Sequence, residues 1–312
     1  MNRFLPRSSV LVVWTCLVIS GLTPAAFAQD VKQGAVFVCP MHADVRADVA
    51  GRCPRCGMKL VLAGALSHDR YALEIRTEPK APRAGQPARL YLQVRDVDKK
   101  TVVQDFAEVH ERIFHLFVVS DDLAEFDHIH PELGKKGSLE VDLTLRRAGR
   151  YQLYADFVPA DGTPQLLART VYTSGHIDDP ASNRPRLEPD TVPKHAGGSL
   201  VELQLPPGPG LIAGESQAFR LHFRDGKSGV PVTDLEPYLG APAHLLVVSS
   251  DLVDAAHSHP AVQFSSVNGP DVVFEAVFPR PGIYRMWVQF QRQGRVELAA
   301  FTVAASIAPS GP

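Results

Sequence analysis

Two residues separate Cys39 from His42, and two separate Cys53 from Cys56. Thiolate and imidazole are the ligands that zinc and the softer first-row ions prefer, and a tight turn with this spacing aims both side chains at one centre. Pro40 and Pro54 set the entry dihedrals, and Gly57 lets the backbone fold back. Two such turns face to face give a Cys₃His tetrahedron. Met41 and Met58 add thioethers that favour Cu(I) or Ag(I), though such side chains pack as readily as they ligate. Farther along stand two histidine triplets, His115, His128 and His130, then His244, His257 and His259. Three imidazoles suit Zn²⁺ or Cu²⁺ with one coordination position open.

The run Cys39-Pro40-Met41-His42, continued by Gly51-Arg52-Cys53-Pro54-Arg55-Cys56-Gly57-Met58, resembles the short heavy-metal-binding domain of copper/silver efflux adaptors and of some copper P-type ATPases. The resemblance covers residues 36–62. It implies metal binding by Cys39, His42, Cys53 and Cys56 in a small zinc-ribbon-like head. It does not imply transport, because neither the membrane helices of a pump nor the long heptads of an adaptor are legible. A segment of ~25 residues needs a staple to fold, so the same ligands also read as a purely structural zinc site.

The compartment is readable too. Arg3 and Arg7 precede an apolar run from Val10 to Ile19, and Ala26-Phe27-Ala28 fits the small-residue cleavage rule. That is the grammar of a secretory signal over residues 1–28, and the apolar run is too short to span a bilayer. The expected location is the periplasm or the cell exterior, with no membrane span after cleavage. Of the four cysteines, Cys16 goes with the signal and three remain between positions 39 and 56. Three thiols cannot all pair as disulfides, so an oxidising compartment demands another occupant for them. With 32 Lys+Arg against 34 Asp+Glu and a formal net charge of −2, the chain has no electrostatic footprint for nucleic acid.

The elements that must position the histidines form a tandem repeat. Residues 85–131 align without gaps to 214–260, at an offset of 129 and with 16 identities in 47 positions. The match resumes at an offset of 133, with Gly149 and Tyr151 answering Gly282 and Tyr284, and Phe157 answering Phe290. Residues 89–94, 138–145 and 151–157 alternate in polarity, with Gly and Pro turns between such runs. The expected architecture is mainly β: the head, then two tandem immunoglobulin-like β-sandwich modules at residues 68–175 and 199–306. Residues 176–198, rich in Pro, Asp and Asn, read as a linker.

Each member of one triplet maps onto a member of the other at the offset of 129, while Phe126, Asp127 and Ile129 give way to Ala255, Ala256 and Ser258. His128 and His130 share a strand face. If residues 120–125 turn the chain so that paired positions sum to 245, Phe117 opposes His128 and His115 opposes His130. Three imidazoles then meet on one face. The bland alternative is a buried core histidine, since residues 114–119 are apolar on both faces. Asp122 and Asp251 read as turn caps in preference to acceptors for a ligand ring. His68, His110, His176, His195 and His222 lack a counterpart in the other copy and read as solvated.

The favoured reading is an exported carrier or buffer for copper, with zinc or silver as alternatives, in metal homeostasis or resistance, with metal ions as its partners and a membrane efflux system as a candidate partner. The competing reading is a non-catalytic scaffold that docks an efflux or envelope partner and binds metal only at its head. A three-histidine zinc hydrolase or hydratase ranks lower, because no proton shuttle, nucleophile motif or substrate pocket is legible.

Overall fold

A computed structural model describes residues 37–39, 45–49, 51–54, 60–62, 70–160, 162–175, 187–260 and 268–308. In the head, strand Phe37–Val38 lies between Arg46–Ala47 and Val61–Leu62. Cys39 and Cys53 are buried together there against Leu60. His42, Cys56, Met41 and Met58, with the signal segment and its Cys16, lie outside the described residues.

The remainder is a run of β-strands in four sheets, with no α-helix among the described residues. Period-2 alternation dictates this outcome. In Pro87–Asp96 every second side chain is buried, from Ala88 through Leu90, Leu92 and Val94 to Asp96. The first module sets the sheet Glu132–Leu133, Ser138–Thr144, Pro87–Asp96, Tyr71–Glu78 against the sheet Gln165–Tyr172, Arg150–Pro159, Phe114–Ser120, Phe126–Ile129. Leu90, Leu92, Val94, Phe114, Leu116 and Leu153 share its core. The second module repeats the plan. Lys194–Ala196, Ser199–Gln204, Ser216–Asp225 and Asp271–Val277 form one sheet. Arg295–Ser306, Gly282–Arg292, Ala243–Ser249 and Ala255–Ser258 form the other, with Leu211–Ile212 running parallel at its edge.

Each module carries a tyrosine whose hydroxyl ties back to the backbone four residues upstream, a corner typical of immunoglobulin-like sandwiches. Tyr151 Oη accepts from Arg147 N–H at 2.9 Å, and Tyr284 Oη donates to the Arg280 carbonyl at 2.8 Å. The segment expected as a linker is described from residue 187 onward, and there it belongs to the second module. Asp190 bridges to Thr302, and Lys194–Ala196 adds an edge strand to Ser199–Gln204.

Strand Phe114–Ser120 is buried along its whole length, as is its counterpart Ala243–Ser249. Alternation explains how. Phe114, Leu116 and Val118 enter their own core, whereas Phe117 and Val119 face the other way, into a third cluster with Leu246, Val248 and Trp287 of the second module. Phe126 stacks on Trp287 with ring centroids 5.1 Å apart, and Tyr154 Oη donates to the Leu252 carbonyl at 2.9 Å. The two modules therefore rest on each other through these sheet faces. The histidine triplets lie on the same faces.

Candidate metal centre

Local strand geometry delivers the first triplet. Leu116 opposes Ile129 and Phe117 opposes His128, the register in which positions sum to 245. The hairpin closes through Ser120 and Glu125, with Ser120 N–H donating to the Glu125 carbonyl at 3.1 Å. Asp122 caps this turn, accepting from Ser120 Oγ at 2.5 Å and from Ala124 N–H at 3.0 Å. His130 follows directly after strand Phe126–Ile129. Ligand nitrogens of His115, His128 and His130 lie within 4.8 Å of one another. The second copy keeps the pairing, with Leu246 opposite His257, and Asp251 caps the equivalent turn.

Hydrogen bonds fix the tautomers. His115 Nε2 is 3.1 Å from the Val109 carbonyl, and His128 Nδ1 is 2.7 Å from Gln289 Oε1. The Val109 oxygen can only accept, so His115 Nε2 carries its proton, and with the Gln289 amide set oxygen-first His128 Nδ1 carries one as well. The remaining nitrogens, His115 Nδ1 and His128 Nε2, face each other at 3.0 Å, lone pair to lone pair. The second copy repeats the pattern: His244 Nε2 donates to the Tyr238 carbonyl at 2.9 Å and His257 Nδ1 to Asp156 Oδ2 at 2.5 Å. His244 Nδ1 and His257 Nε2 are left 3.4 Å apart. Two acceptors at such a distance repel unless a cation stands between them. Two nitrogens on one tetrahedral zinc are separated by about 3.3 Å, as follows from Zn–N bonds of ~2.05 Å. An outward ring N–H given to a carbonyl or carboxylate is the usual support of a metal-bound histidine.

The supporting acceptors are exchanged between modules. Asp156, opposite His115 in the first sheet, serves His257 of the second, and Gln289, opposite His244, serves His128 of the first. The histidines accordingly gather in one cluster at the junction, with the His115 and His257 rings 5.5 Å apart and those of His115 and His244 6.3 Å apart.

A family model described as "Domain of unknown function (DUF8832)" matches residues 67–175 and again residues 194–306. The chain belongs to the DUF8832 family. A second model, the heavy metal binding domain, matches residues 36–62. The chain thus carries a heavy-metal-binding domain ahead of two DUF8832 copies, and neither family is described as catalytic. No curated protein matches. Among solved structures, the chain is similar to the Yersinia pseudotuberculosis adhesin InvE at 11% identity and TM-score 0.23, covering 77% of this chain and 60% of that one. It is also similar to the fibronectin(III)-like modules of Clostridium thermocellum CbhA at 11% identity and TM-score 0.21, covering 75% and 94%. A two-domain fibronectin type III segment of chicken tenascin aligns at 10% identity and TM-score 0.21, covering 75% and 98%.

Between the DUF8832 copies, burial governs protonation. His115, His244, His257 and His259 are no more than 7% exposed. Burial, reinforced by neighbouring imidazoles, holds His128, His244 and His259 well below the ordinary histidine range. Burial likewise pushes His130 down to about 3, lowers His115, and raises Asp156 to about 6. At neutral pH the rings are neutral donors of lone pairs beside one carboxylate, which is the state a metal ion requires. A pocket lined by Glu108, Glu111, Glu132 and Arg112 opens onto His128 and His130. No such opening was legible in the sequence.

The DUF8832 junction also corrects the reading of the unmatched histidines. His110, expected in solvent, is half-buried and stacks on His259 with ring centroids 3.6 Å apart. Its ligand nitrogen lies within 4.8 Å of those of His244 and His259. His222, also expected in solvent, is 14% exposed and hydrogen-bonded to Asp271 at 2.8 Å. His195 is exposed, while His68 and His176 lie outside the described residues.

Proposed function

We propose that the chain is an exported heavy-metal-binding protein that carries or buffers copper or zinc. It offers the ion sulfur at the head and imidazole nitrogen between the two DUF8832 modules. The observation that carries this reading is the pair of close imidazole nitrogen contacts, at 3.0 Å and 3.4 Å, with the outer nitrogen of each ring hydrogen-bonded to an oxygen of the protein. Thiolate suits the reduced ion and imidazole the oxidised or borderline one, so one chain serves both classes. Export is supported by the signal-like residues 1–28.

The test counts metal on the full chain with the head silenced by Cys39→Ser, Cys53→Ser and Cys56→Ser. Equilibrium dialysis against Zn²⁺ should retain at least one ion per chain, and adding His128→Ala and His130→Ala should remove it from the first triplet. A head-silenced chain that retains no zinc even with its histidines intact would instead favour the scaffold reading, with metal held at the head alone.

A further inference from the structure

His259 is 6% exposed, yet neither of its ring nitrogens has a hydrogen-bond partner among the described residues. An imidazole always carries a lone pair or a second proton to satisfy, and leaving such a group dry and unpaired is costly. The ring stacked on it at 3.6 Å belongs to His110, which comes from the other module. His110 is held there by its turn: Val109 and Arg112 bridge as the ends of a tight hairpin, with His110 at φ 51° and Glu111 at φ 61°. Positive φ at both central positions is the two-residue hairpin geometry that matches strand twist. The same turn recurs as Tyr238–Ala241, where Leu239 occupies the position of His110. The duplicated fold therefore presents an imidazole at this point from the first module only.

We propose that His110, His244 and His259 bind a second divalent transition-metal ion, in a site that exists only while the two modules are docked. Two ligands come from the second module and one from the first, so the ion clamps the modules together. His257, whose Nε2 is 3.4 Å from His244 Nδ1, stands ready as a fourth ligand and carries Asp156 of the first module behind it. The site differs from the first group in access. His128 and His130 line an open pocket, whereas His244, His257 and His259 are all buried. The inference rests on imidazole metal binding at the junction and adds a second ion with a structural role.

The experiment uses the full chain with the three head cysteines replaced by serine, and Zn²⁺ as the probe. Two zinc ions per chain are expected, falling to one in His110→Ala and also in His110→Gln, which keeps a polar side chain in the turn. His128→Ala with His130→Ala should leave the clamp ion in place. Two ions retained in both His110 variants, or only one ion on the unsubstituted junction, overturns the clamp while leaving metal binding intact. No zinc at all on the unsubstituted junction overturns the proposed function itself.

Discussion

Zinc should raise the thermal midpoint of the head-silenced chain by about 8–16 °C. A ligand present at a thousand times its dissociation constant stabilises the folded state by about 4 kcal/mol, and each kcal/mol moves the midpoint of a domain this size by about 2–4 °C. The gain is large because the ligands are gathered only in the folded, docked state. His115 and His128 belong to one module, yet the acceptor that orients His128 is Gln289 of the other. Differential scanning calorimetry with and without Zn²⁺ checks this. With His115→Ala and His128→Ala the shift should fall by half or more. An equal shift in that variant would place the stabilising ion elsewhere.

Acid should destabilise the metal-free protein. Burial depresses the folded-state pKa of His128, His130, His244 and His259, so below about 6.5 the unfolded chain takes up protons that the folded chain refuses. Stability rises with pH wherever the unfolded state binds more protons, so it falls as pH drops from about 6.5 toward each folded value. For His130, whose folded value is about 3, the loss at pH 5 is roughly 1–2 kcal/mol once solvent around a half-buried ring is allowed for. The more deeply buried rings add to it. Asp156, raised to about 6, works in the opposite sense and returns part of the loss. Chemical denaturation of chelated protein at pH 7.5 and pH 5 measures the difference. A flat profile over that range contradicts burial of neutral imidazoles, and His128→Gln with His130→Gln should make a steep one shallower without abolishing it.

Much of this centre was legible in the sequence for a simple reason. Duplication preserved His115, His128 and His130 as His244, His257 and His259 while their neighbours changed, and a period-2 strand puts the paired rings on one face. The register through Phe117 and His128 followed from the turn length. What stayed hidden has a common physical cause, which is that comparing two copies assumes each builds its site alone. His110 answers to Leu239, and Asp156 to Gln289, so neither stood out, yet each acts on the other module. The apolar run 114–119 was ambiguous in the same way. A strand buried against its own core on one face and against a second module on the other reads as one fully buried strand. Cys39 and Cys53 are buried together in the head, which suits shared ligation there.

X-ray absorption at the zinc edge reads imidazole ligation at the junction directly, using the full chain with Cys39, Cys53 and Cys56 replaced by serine. Zinc should survive dialysis with a first shell of nitrogen at about 2.0–2.1 Å. Outer-shell scattering from at least three imidazole rings should accompany it. Zinc lost on dialysis, or a spectrum of oxygen neighbours without imidazole scattering, would contradict it.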